Sequence, residues 1–207
     1  MLLLIMCKVV RVYRHGETLW NKAGILQGWL DSPLTDNGKR QAENPNFQPE
    51  IVYASDLGRA LQTAQLMFPE VDIRIDSRLR EINLGEWQGE SILNLQHDLH
   101  YQMYLQHPEK FIANTQETFG QVTERMQSFL DFLIHRPENK IAVISHGVAI
   151  ACLCIALQNK PLSSLWDEGM LTGGQSVTLI FDKEGWTIQS SGNMNKNKTS
   201  CVYSSDS

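Results

Sequence analysis

The chain has 207 residues, 42% hydrophobic and 20% charged, enough for one sizeable domain with a full apolar core. A formal net charge of −5 argues against non-specific binding to nucleic acid or to an anionic membrane surface. It leaves small anionic substrates open, because a pocket can be locally basic inside an acidic protein.

The four cysteines, Cys7, Cys152, Cys154 and Cys201, show no metal-ligand spacing, and the pair at 152 and 154 lies in an apolar run. Such sparse cysteine usage predicts free thiols and a reducing, cytoplasmic setting. Residues 1–6 are apolar but lack a basic flank, so they read as the extended start of a strand rather than a leader. No stretch approaches the roughly 18 apolar residues of a membrane span.

Strand-like and helix-like segments then alternate. Residues 7–13 are rich in β-branched residues and predict a strand ending just before Arg14-His15-Gly16. Thr35 is placed to cap a short helix through Ala42, stopped by Pro45 and Pro49. Residues 51–54 predict a second strand, 57–67 a helix, and 73–75 a short strand. Residues 91–105 look helical. The strongest periodicity is at 118–135, where Phe119, Val122, Met126, Phe129, Leu130 and Leu133 recur at spacings of three and four. A buried-type strand at 141–144 runs into Ser145-His146-Gly147, an apolar helix follows at 148–157, and strands at 177–181 and 186–189 close the chain. The pattern predicts one α/β domain over 1–192, with a mostly parallel central sheet flanked by helices on both faces. Residues 193–207, rich in Asn, Lys and Ser, predict a flexible polar tail.

Three predicted strands end in polar, cationic or imidazole groups: Arg14-His15-Gly16, Ser55-Asp56-Leu57-Gly58-Arg59 and Ser145-His146-Gly147. Ligands of open α/β sheets sit outside the carboxyl ends of the strands, so His15, His146, Arg14 and Arg59 converge at one sheet edge. A phosphoryl group is the best reason to gather such groups, because arginine forks match its oxygens. Taken singly, each has a plainer reading: a loop histidine, a helix-capping histidine, and an Arg59–Asp56 ion pair on a solvated face.

Arg14-His15-Gly16-Glu17-Thr18 with Asn21 resembles the signature of the histidine phosphatase (phosphoglycerate mutase-like) superfamily. Gln27-Gly28, Leu34-Thr35-x-x-Gly38, Ser55-Asp56-Leu57-x-Arg59-Ala60-x-x-Thr63-Ala64, Leu79-x-Glu81-x-x-x-Gly85-x-Trp87-x-Gly89 and Ser145-His146-Gly147 are similar to its later blocks, in order. The similarity spans about residues 7–182. It implies a phosphatase that carries a phosphoryl group on His15 as a phosphohistidine and passes it to water. Arg14, Arg59, Asn21, His146 and Gly147 would bind the phosphate, with the arginines lowering the His15 pKa. Glu81 would be the general acid, with Glu17 and Glu86 as nearby competing carboxylates. Gln27 and Gly28 lie where family members contact the substrate beyond its phosphate. The resemblance implies no metal and no cofactor, and a small-molecule phosphomonoester as the partner.

Some features depart from the family pattern or stand outside it. The segment between Gly38 and Glu50 is short, Val148-Ala149-Ile150-Ala151 stands where many relatives have a second glycine and an arginine, and Gly173-Gly174-Gln175-Ser176 where they often carry an asparagine. His97, His100 and His107 have no cysteine or carboxylate cluster beside them and read as a solvated helix face, not a metal site. Of Trp29, Trp87 and Trp166, which could line a cavity or pack, Trp87 is expected to pack. A compact 90–117 segment and the Gln116-Glu117-Thr118 turn favour the phosphatase branch. The alternatives are a cofactor-dependent phosphoglycerate mutase and a non-catalytic phosphate-ligand sensor or scaffold. The substrate and the oligomeric state are not readable from the sequence.

Overall fold

The computed structural model describes residues 7–167 and 169–191. The expected strand start at 1–6 and the expected tail at 193–207 lie outside them. Strand β1 (Lys8–Arg14) is followed by α1 (Leu19–Ala23), α2 (Asp36–Gln41), β2 (Ile51–Ala54), α3 (Gly58–Met67) and β3 (Ile73–Ile75). Next come α4 (Ile92–Leu95), α5 (Leu99–Gln106), α6 (Phe119–Ile134), β4 (Lys140–Ser145), α7 (Gly147–Leu157), β5 (Ser176–Asp182) and β6 (Gly185–Ser191). The six strands form one sheet in the order β3-β2-β4-β1-β5-β6. Its β3, β2, β4 and β1 ladders are parallel, and β5 and β6 extend it through antiparallel ladders. The α/β expectation holds, with the parallel part where the three motif-bearing strands lie.

Both faces of the sheet are covered because its strands are apolar on both sides. Val10, Val12, Ile51, Tyr53, Ile141 and Val143 pack with α6 and α7 in one cluster. Tyr13, Val52, Ala54, Ala142 and Ile144 pack with Ala60, Ala64 and Met67 of α3 in the other. Phe129 of α6 is buried, and Tyr53 meets it edge-on at 5.5 Å between ring centroids. Burying a side chain of this size stabilises the fold by about 1.5–3 kcal/mol.

Helix ends follow local chemistry. Thr118 caps α6 in a reciprocal box with Gln121, and the Thr35 hydroxyl accepts from the Gly38 amide at the start of α2. The helix expected across 91–105 is instead two, because Asp98 caps a new start at Leu99 by accepting from the Tyr101 amide. Helix α1 carries no buried residue, and the sequence offered no apolar period to reveal it; a Thr18–Asn21 capping box defines its start. Trp87 packs as expected, against Tyr101 and Tyr104 at 5.3 and 5.6 Å. His100 departs from the solvated-face reading: it stacks on Phe111 at 4.9 Å and bonds the Ile112 carbonyl oxygen. His97 and His107 are exposed, and no group of three or more His, Cys, Asp or Glu among the described residues is arranged to hold a metal. No described helix is long and apolar enough to cross a membrane.

Candidate active site

The β1–β4 ladder runs in register up to Arg14 opposite Ser145, and one further bond joins the His15 amide to the Ser145 carbonyl oxygen at 3.0 Å. His15 and His146, the next residue on each strand, therefore stand side by side with ring centroids 5.0 Å apart. Both are buried. His15 Nδ1 lies 2.7 Å from the Gly16 carbonyl oxygen, which accepts only if Nδ1 carries the proton. That tautomer leaves the lone pair on Nε2, towards which Arg59 Nε–H donates at 3.3 Å. Burial first, then the charges of Arg59 and Arg14, hold the His15 pKa well below its ordinary value. The sequence reading credited the arginines alone; desolvation is the larger cause.

His146 is depressed in the same way, by burial, then Arg59 and the neighbouring imidazole. Neither of its ring nitrogens has a hydrogen-bond partner among the described residues. An unpaired buried polar group costs about 1–3 kcal/mol, and a polar ligand at this point would offset that cost. Arg14 closes β1 and donates from Nη1 to the Leu171 carbonyl oxygen, while its buried Nε has no partner among the described residues. Gly147 opens α7 with Arg14 against it: a Cβ there would lie 3.4 Å from the guanidinium carbon.

Arg59 enters from the first turn of α3 and is 2% exposed. Its guanidinium donates to the carbonyl oxygens of Gly28 and Leu30 at 2.7 and 2.8 Å and to Asp31 Oδ1 at 3.1 Å. Asp31 is thus the carboxylate partner of Arg59, whereas Asp56, the alternative weighed from sequence, pairs with Arg80. Gly28 adopts φ +53°, a left-handed conformation that glycine takes without strain and that belongs to the loop presenting its carbonyl to Arg59.

Glu81 precedes the start of α7 in space. Its Oε2 accepts from the Val148 amide at 3.2 Å, and its Oε1 accepts from Ala149 and Ile82 at 3.0 Å each. Helix N-termini suit carboxylates because their first amides lack intrahelical acceptors. Gln27 is buried, and its Oε1 has no partner among the described residues. Asn21 is exposed; its Oδ1 accepts from the Thr18 amide and hydroxyl, and its amide NH2 has no protein acceptor among the described residues. Glu17 is tied to the Thr35 hydroxyl at 2.6 Å. His15, His146, Arg14 and Arg59 are brought together, Glu81 lies within electrostatic reach of Arg59, and Asn21 is held by its helix cap.

Sequence reasoning missed Asp31, Trp29 as a donor to the Glu81 carbonyl oxygen at 2.7 Å, and Arg125 with Glu117. A carboxylate next to the Gln27-Gly28 block was the available signal for Asp31.

Two buried neutral imidazoles make stability depend on pH. Their folded pKa values lie below the unfolded value of 6.5, so the folded state binds fewer protons than the unfolded chain below that pH. Their contribution is complete above pH 6.5 and is lost as pH falls below it, by up to about 1.4 kcal/mol per pH unit for each histidine. Urea unfolding at pH 7.5 and 5.5 is expected to show a shallower acid loss in His146→Asn than in wild type. Parallel pH dependences would refute it.

The family model described as histidine phosphatase superfamily (branch 1) matches residues 10–194. The chain belongs to that superfamily. It is 31% identical over 199 residues to the probable phosphoglycerate mutase GpmB of Yersinia pestis (strain Pestoides F), covering 88% of this chain and 92% of that protein. Among solved structures it is similar to Bacillus stearothermophilus YhfR, with TM-score 0.82, 28% identity and coverage of 91% and 100%. It is also similar to a mycobacterial glucosyl-3-phosphoglycerate phosphatase solved with VO3, with TM-score 0.77, 25% identity and coverage of 90% and 98%.

Proposed function

We propose that the protein is a metal-independent phosphomonoesterase whose phosphoryl carrier is His15. The observation that carries this reading is the pair of buried neutral imidazoles, one with its Nε2 lone pair turned towards the Arg59 Nε–H and the other with neither nitrogen partnered among the described residues. In the first step His15 Nε2 attacks phosphorus, the ester P–O bond breaks, and Glu81 gives its proton to the departing alkoxide. In the second, water attacks the phosphohistidine, the P–N bond breaks to restore Nε2, and the Glu81 carboxylate takes the proton of water. Gly16 holds the Nδ1 proton throughout and steadies the cationic ring of the intermediate. Arg14, Arg59, His146 and the Gly147 amide would hold the phosphoryl oxygens, with the Asn21 side-chain NH2, which its helix cap leaves uncommitted, as a further donor. Gln27, with its buried free oxygen, and Gly28 would meet the alcohol portion of a small phosphomonoester. No step calls for a metal or a cofactor. The buried thiols of Cys152 and Cys154, held outside any disulfide, support a reducing, cytoplasmic setting.

Mutase activity is the second reading, favoured by the mutase name of the 31% identical relative. The compact α4–α5 segment supports water as acceptor, because retaining the phosphoryl group requires water to be excluded. The test supplies 3-phosphoglycerate with catalytic bisphosphoglycerate and quantifies products. Free phosphate is expected to outrun 2-phosphoglycerate; the reverse would make the protein a mutase, and neither product with any of a broad panel of phosphomonoesters would leave a binding role.

A further inference from the structure

The chain segment bearing Glu81 is fastened by one side chain from a different part of the fold. Arg125, in the middle of α6, donates from Nη1 to the Arg78 and Arg80 carbonyl oxygens at 2.6 Å each, and from Nη2 to the Glu81 carbonyl oxygen at 3.0 Å. Its remaining donors meet Glu117, with Nε to Oε1 at 2.8 Å and Nη2 to Oε2 at 3.0 Å. Glu117 in turn accepts from the Asn83 amide at 3.1 Å, and its own amide donates to the Asn83 carbonyl oxygen at 2.8 Å. Residues 78–83 are thus held through their backbone on both sides of Glu81, by an ion pair whose side chains are only 16% and 13% exposed.

We propose that Arg125, backed by Glu117, is a positioning residue for the general acid: it sets where the Glu81 carboxyl stands relative to the leaving oxygen. This rests on the reading of Glu81 given above. Side-chain placement follows backbone placement here, because residues 77–79 form a single 3-10 turn and residues 80–84 belong to no helix or strand. An irregular segment has no ladder of its own to fix it, and misplacement by about 1 Å can cost about 100-fold in rate. The planar fork of arginine reaches three carbonyl oxygens and a carboxylate together, a geometry that a lysine ammonium cannot reproduce. Trp29 Nε1 meets the same Glu81 carbonyl oxygen from the opposite loop, so the peptide after the acid carries two donors.

A general acid matters in proportion to how badly the leaving group needs a proton. The test compares an alkyl phosphate with 2,4-dinitrophenyl phosphate, whose phenolate leaves without protonation, in wild type, Arg125→Ala, Arg125→Lys, Glu117→Gln and Glu81→Gln. Glu81→Gln is expected to lose about 100-fold or more in kcat on the alkyl ester and far less on the activated one. Both Arg125 variants are expected to show the same split, with losses at least about tenfold larger on the alkyl ester and little change in KM. A Glu81→Gln variant that loses equally on both esters would remove the general-acid reading itself. A split in Glu81→Gln with equal losses in the Arg125 variants would overturn the positioning role alone. If Arg125→Ala does not fold, Arg125→Lys and Glu117→Gln carry the same comparison, and equal losses on the two esters decide against it.

Discussion

His15→Ala is expected to lose at least about 10³-fold in kcat/KM for p-nitrophenyl phosphate measured in excess chelator, because the substitution removes the proposed phosphoryl acceptor. Cys152 is no substitute nucleophile, since its thiol is buried and burial pushes its pKa up to about 12. The chelator matters because it excludes contaminating metal-dependent phosphatases from the rate. His15→Asn is the companion variant, since an amide can still donate to the Gly16 carbonyl oxygen and preserve the local fold. Thermal unfolding of both variants checks that the loss is chemical. Turnover within about tenfold of wild type in either folded variant would contradict a phosphohistidine route.

Arg59→Ala is expected to do harm twice over. The guanidinium lies in the interior and satisfies the Gly28 and Leu30 carbonyl oxygens as well as Asp31, so its removal strands acceptors. Stability is expected to fall by about 2–4 kcal/mol, less than a fully buried ion pair would lose because the Asp31 side chain is 39% exposed and can rehydrate. Activity is expected to fall by about 10²–10³-fold through loss of a fixed donor to the transferring group. Arg59→Lys should recover part of the stability and little of the activity, since one ammonium cannot serve two carbonyls and a phosphate. Urea titration together with kcat/KM separates the two effects, and wild-type kcat/KM in Arg59→Lys would remove Arg59 from the phosphate clamp.

The strands and most of the site were legible because each motif ends an apolar run, so chemistry and fold announce the same boundary. Residues 7–13, 51–54 and 141–144 are too apolar to be surface loops, and their polar ends could point only to one sheet edge. Helix α6 was legible for the same reason, its apolar face being the one buried. What stayed hidden depends on hydrogen bonds made across long sequence distances. Arg125 sits among Glu124, Gln127 and Ser128, a polar stretch, yet the carbonyl oxygens it bonds lie 44 to 47 residues away. Asn21 shows the opposite difficulty: one short polar residue at the third position of a helix suits both a phosphate contact and a capping box, and the cap engages its Oδ1 while the side-chain NH2 stays outside it. The split between α4 and α5 was invisible because Asp98 is an ordinary polar residue until its carboxylate turns back onto the Tyr101 amide.

The parallel pairing of β1 with β4 has a further meaning. Neighbouring strands lie about 4.8 Å apart, and the two imidazole centroids are 5.0 Å apart. The spacing of the histidine pair is therefore the spacing of the sheet. It does not depend on loop length, so insertions after Gly24 or around Asn44 leave the pair untouched, while a slip of one residue between the two strands would set His15 beside Ser145 or Gly147. Such a slip would also exchange the side chains that a strand presents to α6 and α7 on one face and to α3 on the other, so the packing of both cores and the placement of the histidine pair depend on the same register.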